Sequence, residues 1–474
     1  MNRSRADLVR LVLLCAAQFM LILDVVVVNV ALPSIRTDLV IPDSRLSLVG
    51  IAYTLTFGSL LIVAGRAGDL FGRRRLLLAG LVLFSVASLA TGTATTQWTL
   101  FVGRALQGVG AAMVSPTAMA LLIHTFAEGA RRNWALGVWG AVGSAGAISG
   151  QLIGGALTDA LGWRSIFLVN VPVGVIVIAA VAVLIDERAD RVRERLDLTG
   201  AALLTGALIA LTTALIRLAE TGPDGGAAAL ALVSAAGLAL FVRTERRHPR
   251  PLLRLDLLRQ SPVRTGNTVL AMNAAAVTAA LFFTTLYLQV VLGMRPLDVG
   301  MAFAPVTLMV LVVSPQAARL VSRFGVRPTL IAGAALGAVG LLHLARVPVG
   351  GGYLRDVLPG LLLIALGSGL SYAPAYIAGT SGVVESEQGM AAGLLSTAQE
   401  LGAAVGLGLL ALLATLGGAA TTGAQALTAG YRAGFLWTAV LMALSGVVAM
   451  TAPRGVGITR PSEPDRAPSP VGAG

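Results

Sequence analysis

The sequence predicts an all-helical bundle embedded in a lipid bilayer, and three observations lead there. Of the 474 residues, 56% are hydrophobic and only 12% charged, with a mean hydropathy of +0.83. A soluble domain carries about 25% charged residues. Apolar runs of about 16–25 residues recur along the chain, the length at which a helix crosses the hydrocarbon core, whereas a barrel strand needs only about 9–11. The 56 glycines fit the same picture, because small residues let membrane helices approach backbone to backbone.

The formal charge of +12 and pI near 11.2 would suggest nucleic acid in a soluble chain. Here the positive residues sit in short clusters between apolar runs, as membrane topology requires, and no nucleic-acid partner is expected. All 35 positive residues are arginine. A phosphate-binding loop ending in GK[ST] therefore cannot occur, and the chain is not its own ATPase of that kind. Cys15 lies in the first apolar run and reads as a small core residue. His124, His248 and His343 match no metal spacing, so neither metal nor cofactor is expected.

Taken in order, fourteen spans are expected, the first six near 8–32, 46–65, 76–96, 98–123, 134–157 and 165–185. Two follow near 198–217 and 227–242, and six more near 266–292, 299–318, 328–345, 357–378, 389–416 and 433–452. The first run is longer than a signal-peptide core and contains Asp24 and Asn29, so it reads as a retained span. With the N-terminus in the cytoplasm, 26 of the 35 arginines fall in cytoplasmic segments, 8 outside, and Arg104 inside a span. One missed helix would invert every later loop, so this bias supports the count and places both termini in the cytoplasm. The basic connection 243–264 reads as a hydrated loop that sets topology and touches lipid headgroups. The segment 454–474, rich in Pro, Gly, Arg and Ser, reads as a disordered cytoplasmic tail.

A duplication is visible. GRAGDLFGRRRLLLAG (65–80) aligns with AARLVSRFGVRPTLIAG (317–333) at a constant offset of 253 residues, which pairs Phe71-Gly72 with Phe324-Gly325 and Gly80 with Gly333. The second copy has Ser322 where the first has Asp69. Duplicated halves are common in transporters, whose substrates bind near mid-membrane between the repeats.

Several residues are costly in lipid. A charge such as Asp24 at the bilayer centre costs roughly 2.5–3.5 kcal/mol on insertion scales. Arg104 and Gln107, three apart, share a helix face, and a buried arginine keeps its charge and needs a partner. Glu400 lies on a small-residue face with Gly389, Gly393, Ser396 and Ala403. In the fifth span Gly140, Gly143, Ala147, Gly150 and Gly154 form one stripe for close helix packing. In the 65–80 stretch, Gly65, Gly68 and Gly72 would allow a tight turn. Asp69 could accept hydrogen bonds near the start of the third span.

GRAGDLFGRRR resembles the loop signature of the major facilitator superfamily, and LDVVVVNVALP (23–33) resembles the first-span signature of its fourteen-spanner drug:proton antiporters. Similar matches continue at LFVGRALQGVGAA (100–112), GWRSIFLVNVPVG (162–174) and YLQVVLGMRPLDVG (287–300). The resemblance implies two six-helix bundles, 1–185 and 265–453, with two extra central helices in 186–264. It implies proton coupling by Asp24, Arg104 and Glu400, although relatives often carry Arg-Gln where this chain has Gln399-Glu400. Arg104 tying helices together, with Glu400 as its partner, is the structural alternative. Gly65, Asp69, Gly72, Arg73, Arg74 and Arg75 would form a gating loop, or only fix topology. Gly140, Gly143, Gly150, Gly154 and Gly155 would pack the antiporter helix, with Gln151 standing where the family has proline. Asn29, Gln107, Gln151, Tyr287 and Gln289 are the cavity candidates.

The expected activity is proton-driven export of a lipophilic, cationic or neutral drug by a monomer in the bacterial cell membrane. The alternative is a dedicated exporter of one endogenous metabolite, in keeping with the GC-rich coding that arginine without lysine suggests. A solute importer, a membrane enzyme and a sensor are less well supported: there is no nucleophile–base pair, and the loops are too short for a signalling domain.

Overall fold

A computed structural model describes residues 3–46, 48–185, 196–222, 224–249, 251–418 and 423–458, excluding the side chains at 3–4, 29–30, 43–44, 144–145, 147–148, 151–152, 219–221, 296–297, 411–412, 414–418 and 423–424. Each expected span is helical. The first six are α1 (Arg3–Leu39), α2 (Leu48–Phe71), α3 (Arg73–Gly92), α4 (Gln97–Thr125), α5 (Ala130–Leu161) and α6 (Asn170–Leu184). Then come α7 (Leu198–Thr221) and α8 (Gly225–Glu245). The last six are α9 (Ser261–Leu286), α10 (Ala304–Phe324), α11 (Val326–Leu344), α12 (Leu358–Thr380), α13 (Gln388–Gly418) and α14 (Gly423–Ala449). By length and apolarity, 13 helical segments among the described residues could cross a membrane. The remaining expected span is α5, a single helix of 32 residues.

Local chemistry sets several helix starts. Thr96, Asp197 and Asp224 each turn a side-chain oxygen onto an N–H of the first turn of α4, α7 and α8, at 3.2, 2.9 and 2.7 Å. The Ala227 N–H and then Arg217 hold the Asp224 carboxyl below the usual carboxylate range.

The duplication governs the packing. In the first half α1 packs on α4, α5 and α6, α2 on α4, and α3 on α4 and α6. The same contacts recur among α9 to α14, with α9 on α12, α13 and α14, α10 on α12, and α11 on α12 and α14. The halves meet through two matching seams, α2 against α13 and α10 against α5. The hairpin α7–α8 leans on α2 and α13.

Repeat glycines do the same work twice. A Cβ on Gly80 would collide with the Gly110 carbonyl and Met113 of α4, and one on Gly333 with the Gly367 carbonyl and Ser371 of α12. Gly72 (φ 99°) and Gly325 (φ 89°) are one-residue links between consecutive helices, in the left-handed region that glycine enters without a Cβ penalty.

Three expectations change. Gly65 and Gly68 do not form a turn, because α2 runs on to Phe71 and only Gly72 links it to α3. Both are packing points instead: Gly65 lies against the Gly389 backbone of α13, and Gly68 against Thr117. The connection 243–264 is not merely hydrated, since Leu252, Leu253 and Leu257 are buried against α7 and α8 residues such as Leu204 and Phe241. The segment 454–458 is folded back under the bundle, where the Val326 N–H donates to the Val456 carbonyl at 3.0 Å. Residues 459–474 lie outside the described residues.

The seam predicts a contrast between two glycines. Gly65→Val should lower the thermal unfolding midpoint by several degrees, because α2 and α13 must separate to admit the side chain. Gly206→Val should leave it within about 1 °C, since no atom lies within 4 Å of a Cβ built there. Thermal denaturation of the purified variants in micelles checks both.

Candidate functional site

Two polar groupings stand inside the bundle, one sealed within the first half and the other lining a cavity between the halves. The sealed grouping is centred on Arg104 of α4, whose residue is 1% exposed. Arg104 Nη1 donates to Asp24 Oδ2 of α1 at 2.5 Å and to Gln107 Oε1 at 3.0 Å, while Nε donates to the Val49 carbonyl of α2 at 3.0 Å. The other oxygen of Asp24, Oδ1, accepts from Gln107 Nε2 at 3.1 Å and from Asn170 Nδ2 of α6 at 2.7 Å. Gln107 Nε2 also donates to Ser88 Oγ of α3 at 2.8 Å. Tyr53 of α2 lays its ring over the guanidinium, with 4.6 Å from Cζ to the ring centroid. Five helices thus converge on one ion pair.

Water-excluded ion pairs persist only when their remaining polar valences are satisfied, and here two amides and a carbonyl satisfy them. The pairing decides an open question: the acid that answers Arg104 is Asp24, not Glu400.

The cavity, about 410 Å³, lies between the halves. Glu400 stands twelve residues into the 31-residue α13, about 18 Å along it at 1.5 Å per residue and so well inside the helix. Its carboxylate lines the cavity and makes no hydrogen bond or ion pair among the described residues. Around it are Tyr53, Tyr372, Tyr376 and Gln399, with Tyr376 Oη donating to Gln399 Oε1 at 2.5 Å. Ile22, Val25, Phe57 and Val310 supply apolar wall.

Several cavity candidates lie elsewhere. Gln107 is fully buried in the Asp24 grouping, because its amide completes the ion pair. Tyr287 belongs to the packed interior of the second half, where its hydroxyl donates to the Pro348 carbonyl at 2.6 Å. Gln289 lies in the helical turn after α9 and does not line the cavity. The side chains of Asn29 and Gln151 lie outside the described residues. Asp24 does not line the cavity, whereas Tyr53, whose ring lies over Arg104, does.

At the arginine-rich end the halves are pinned together. The Asp69 carboxylate accepts the N–H groups of Gly389 and Met390, the first turn of α13, at 2.9 Å each. It also accepts Arg73 Nε at 3.1 Å and Nη2 at 3.0 Å. The acid was expected to serve the start of the following helix. It instead caps the positive end of a helix from the other half, with the same dipole chemistry applied across the interface.

The three arginines differ in role. Arg73 also donates to the Glu385 carbonyl, Arg74 donates to the Ala182 carbonyl of α6 at 2.5 Å, and Arg75 is exposed. Glu387 accepts from Arg254 Nη1 at 2.6 Å, which ties the α8–α9 connection to the same place. On the second seam Asn133 Nδ2 of α5 donates to Ser322 Oγ at 2.9 Å and to the Gly457 carbonyl at 3.1 Å.

The α5 glycines are divided between two partners. A Cβ on Gly150 would press on Val26, and one on Gly154 on Val27, while Gly143 faces Ile22, so this part of the stripe seats α1. Gly140 instead faces Ser314 of α10 and Tyr372 of α12. Gly146, outside the expected stripe, packs on Ile22. Gly155 is half-buried. Tyr53, Gln18 and Ser368 were missed because a lone polar residue in an apolar run carries no distinguishing pattern.

The model of the Major Facilitator Superfamily matches residues 14–407 and 270–472. The cephamycin export protein of Amycolatopsis lactamdurans is 38% identical over 451 residues, covering 94% of this chain and 92% of that one. The puromycin resistance protein of Streptomyces alboniger is 39% identical over 410 residues, covering 85% and 81%. Among solved structures, the human organic anion transporter MFSD10 superposes with a TM-score of 0.66 at 16% identity, covering 95% of this chain and all of that one, a likeness of fold.

The ion pair predicts unequal costs for two arginines. Arg104→Ala leaves Asp24 buried without its counter-charge and should cost about 3–5 kcal/mol of stability. Arg75→Ala, at an exposed side chain, should stay within about 0.5 kcal/mol. Denaturant titration of the folded protein in micelles compares them.

Proposed function

The chain belongs to the major facilitator superfamily, and on that premise we propose that it exports antibiotic-like lipophilic molecules in exchange for protons. The single observation that carries the proton-coupled reading is Glu400, an unpaired carboxylate in a cavity between two duplicated bundles. Such a group can hold a proton or a cationic cargo in turn, which is the requirement of antiport. The Asp24–Arg104 pair carries no net charge, so a deprotonated Glu400 leaves the cavity negative and favours a cation. Apolar walls supply the affinity that a lipophilic molecule needs.

The bias of arginines supports one orientation in the bacterial cell membrane. The Gly72 and Gly325 links, the Asp69 cap and both termini then face the cytoplasm. In this conformation the cytoplasmic end is closed by the α2–α13 and α5–α10 seams. Inward opening requires Asp69 to let go of the Gly389 and Met390 N–H groups while the bundles rock around the cavity. On the outer face Glu400 takes a proton and cargo leaves. On the inner face it gives the proton up and cargo binds. One chain supplies both walls of the cavity, which supports a monomeric transporting unit driven by the proton gradient, with transport rather than catalysis as its work. The narrower version, export of one self-made antibiotic, is favoured by relatives named for single antibiotics.

Everted vesicles with an imposed pH gradient test the reading. Glu400→Gln should abolish proton-driven substrate movement, and Asp24→Asn should lower it. Undiminished coupled transport in Glu400→Gln would overturn the assignment of the carrier.

A further inference from the structure

The two seams between the halves are built alike and fastened differently. On the first, Asp69 of α2 accepts the N–H groups of Gly389 and Met390 in the opening turn of α13. The 253-residue offset puts Ser322 of α10 in the place of Asp69. A hydroxyl brings no charge with which to hold a helix start. Asn133, in the opening turn of α5, meets it through Nδ2 at 2.9 Å. That is one neutral bond across the seam where the first seam has two to a carboxylate.

The chain beyond α14 supplies more. Residues 454–458 cross the end of the second seam and are bonded on both sides of it. Asn133 Nδ2, from the first half, also donates to the Gly457 carbonyl at 3.1 Å. Val326, at the start of α11 in the second half, donates its N–H to the Val456 carbonyl at 3.0 Å. Two successive carbonyls are thus held by opposite halves of the molecule. The Ile458 N–H returns to the Gly455 carbonyl at 3.2 Å and closes a turn.

The seat admits little else. Gly457 has a φ of 80°, which a side chain disfavours, and a Cβ there would collide with Val321 of α10 and touch Ile377 of α12. Ile458 lies beside Gly325, the link between α10 and α11.

We infer that residues 454–458 are a strap that holds the second seam shut, taking the part that the first copy of the repeat gives to Asp69. The inference rests on the reading that inward opening parts the two seams. A segment bonded to both halves must let go of one before they separate. The strap is joined covalently to the second half through α14 and seated there against Val321, Val326 and Ile377. It travels with that half, and Asn133 is where it lets go. Asn133 is 4% exposed with the seam closed, and opening takes both acceptors, Ser322 and Gly457, from its amide together.

The spacing between the halves tests this. Nitroxides on Arg131→Cys of α5 and Arg319→Cys of α10, both exposed positions, report it by electron spin resonance in micelles, with Cys15→Ser removing the native thiol. A chain shortened after Pro453 loses the strap without adding bulk, and Gly457→Val dislodges it within the full chain. Each should raise the ratio of wide to narrow spacing about fivefold, the worth of one net hydrogen bond. A chain shortened after Ile458 keeps the strap and should match the parent, as should Arg454→Ala at an exposed strap residue. An unchanged unfolding midpoint verifies the fold, and where Gly457→Val lowers it the chain shortened after Pro453 decides. Asp69→Ala, which breaks the first seam, is the reference for opening. If Asp69→Ala widens the spacing and loss of the strap does not, or if shortening after Ile458 widens it as much as shortening after Pro453, this inference falls alone. If no variant widens it, Asp69→Ala included, the halves do not part here and the reading of rocking bundles falls with it.

Discussion

A guanidinium stays charged at any pH a cell experiences, so an arginine placed where water does not reach needs a permanent answer in its surroundings. Arg104 obtains it from Asp24, the Gln107 amide, a backbone carbonyl and the face of an aromatic ring, while the Asn170 amide bonds to Asp24 in turn. Because these partners come from α1, α2, α4 and α6, with Ser88 of α3 held at one remove, the pair fixes how five helices of the first half stand to one another. Apolar packing alone would be a weak guide inside a bilayer, where lipid tails are as apolar as leucine. Directional bonds to a charge supply the register that packing lacks.

The duplication gives the molecule two seams of the same geometry and unequal strength. On one, a carboxylate holds two N–H groups at the start of α13 and a guanidinium bonds to it as well. On the other, a serine hydroxyl meets an asparagine amide, helped by the folded-back segment at 454–458. Charge-assisted bonds are roughly twice as strong as neutral ones. The substitution of Ser322 for Asp69 between the repeats therefore makes the first seam the stronger latch.

Much of this was legible. Span positions follow from apolar length, and the Gly72–Gly325 and Gly80–Gly333 equivalences follow from the 253-residue offset. What could not be read is which polar residue meets which. Gly65 and Gly68 looked like a turn because hydropathy falls at Arg66, yet a helix may leave the membrane and remain a helix until Gly72 ends it. Asp69 was recognisable, but its receivers lie 320 and 321 residues away, beyond any local pattern. Gln107 and Tyr287 were assigned to the cavity because polar groups in lipid need partners. The same need is met just as well by another helix, and sequence alone does not separate these outcomes.

The separation of the two acids has a mechanistic consequence. Asp24 accepts three bonds over its two oxygens, one of them from a guanidinium, whereas Glu400 accepts none among the described residues. Under the proposed antiport, proton uptake at Glu400 needs only access to the cavity. The ring of Tyr53, which also lines the cavity, rests on the Arg104 guanidinium. One side chain thus borders both the cavity and the ion pair that holds five helices of the first half in place.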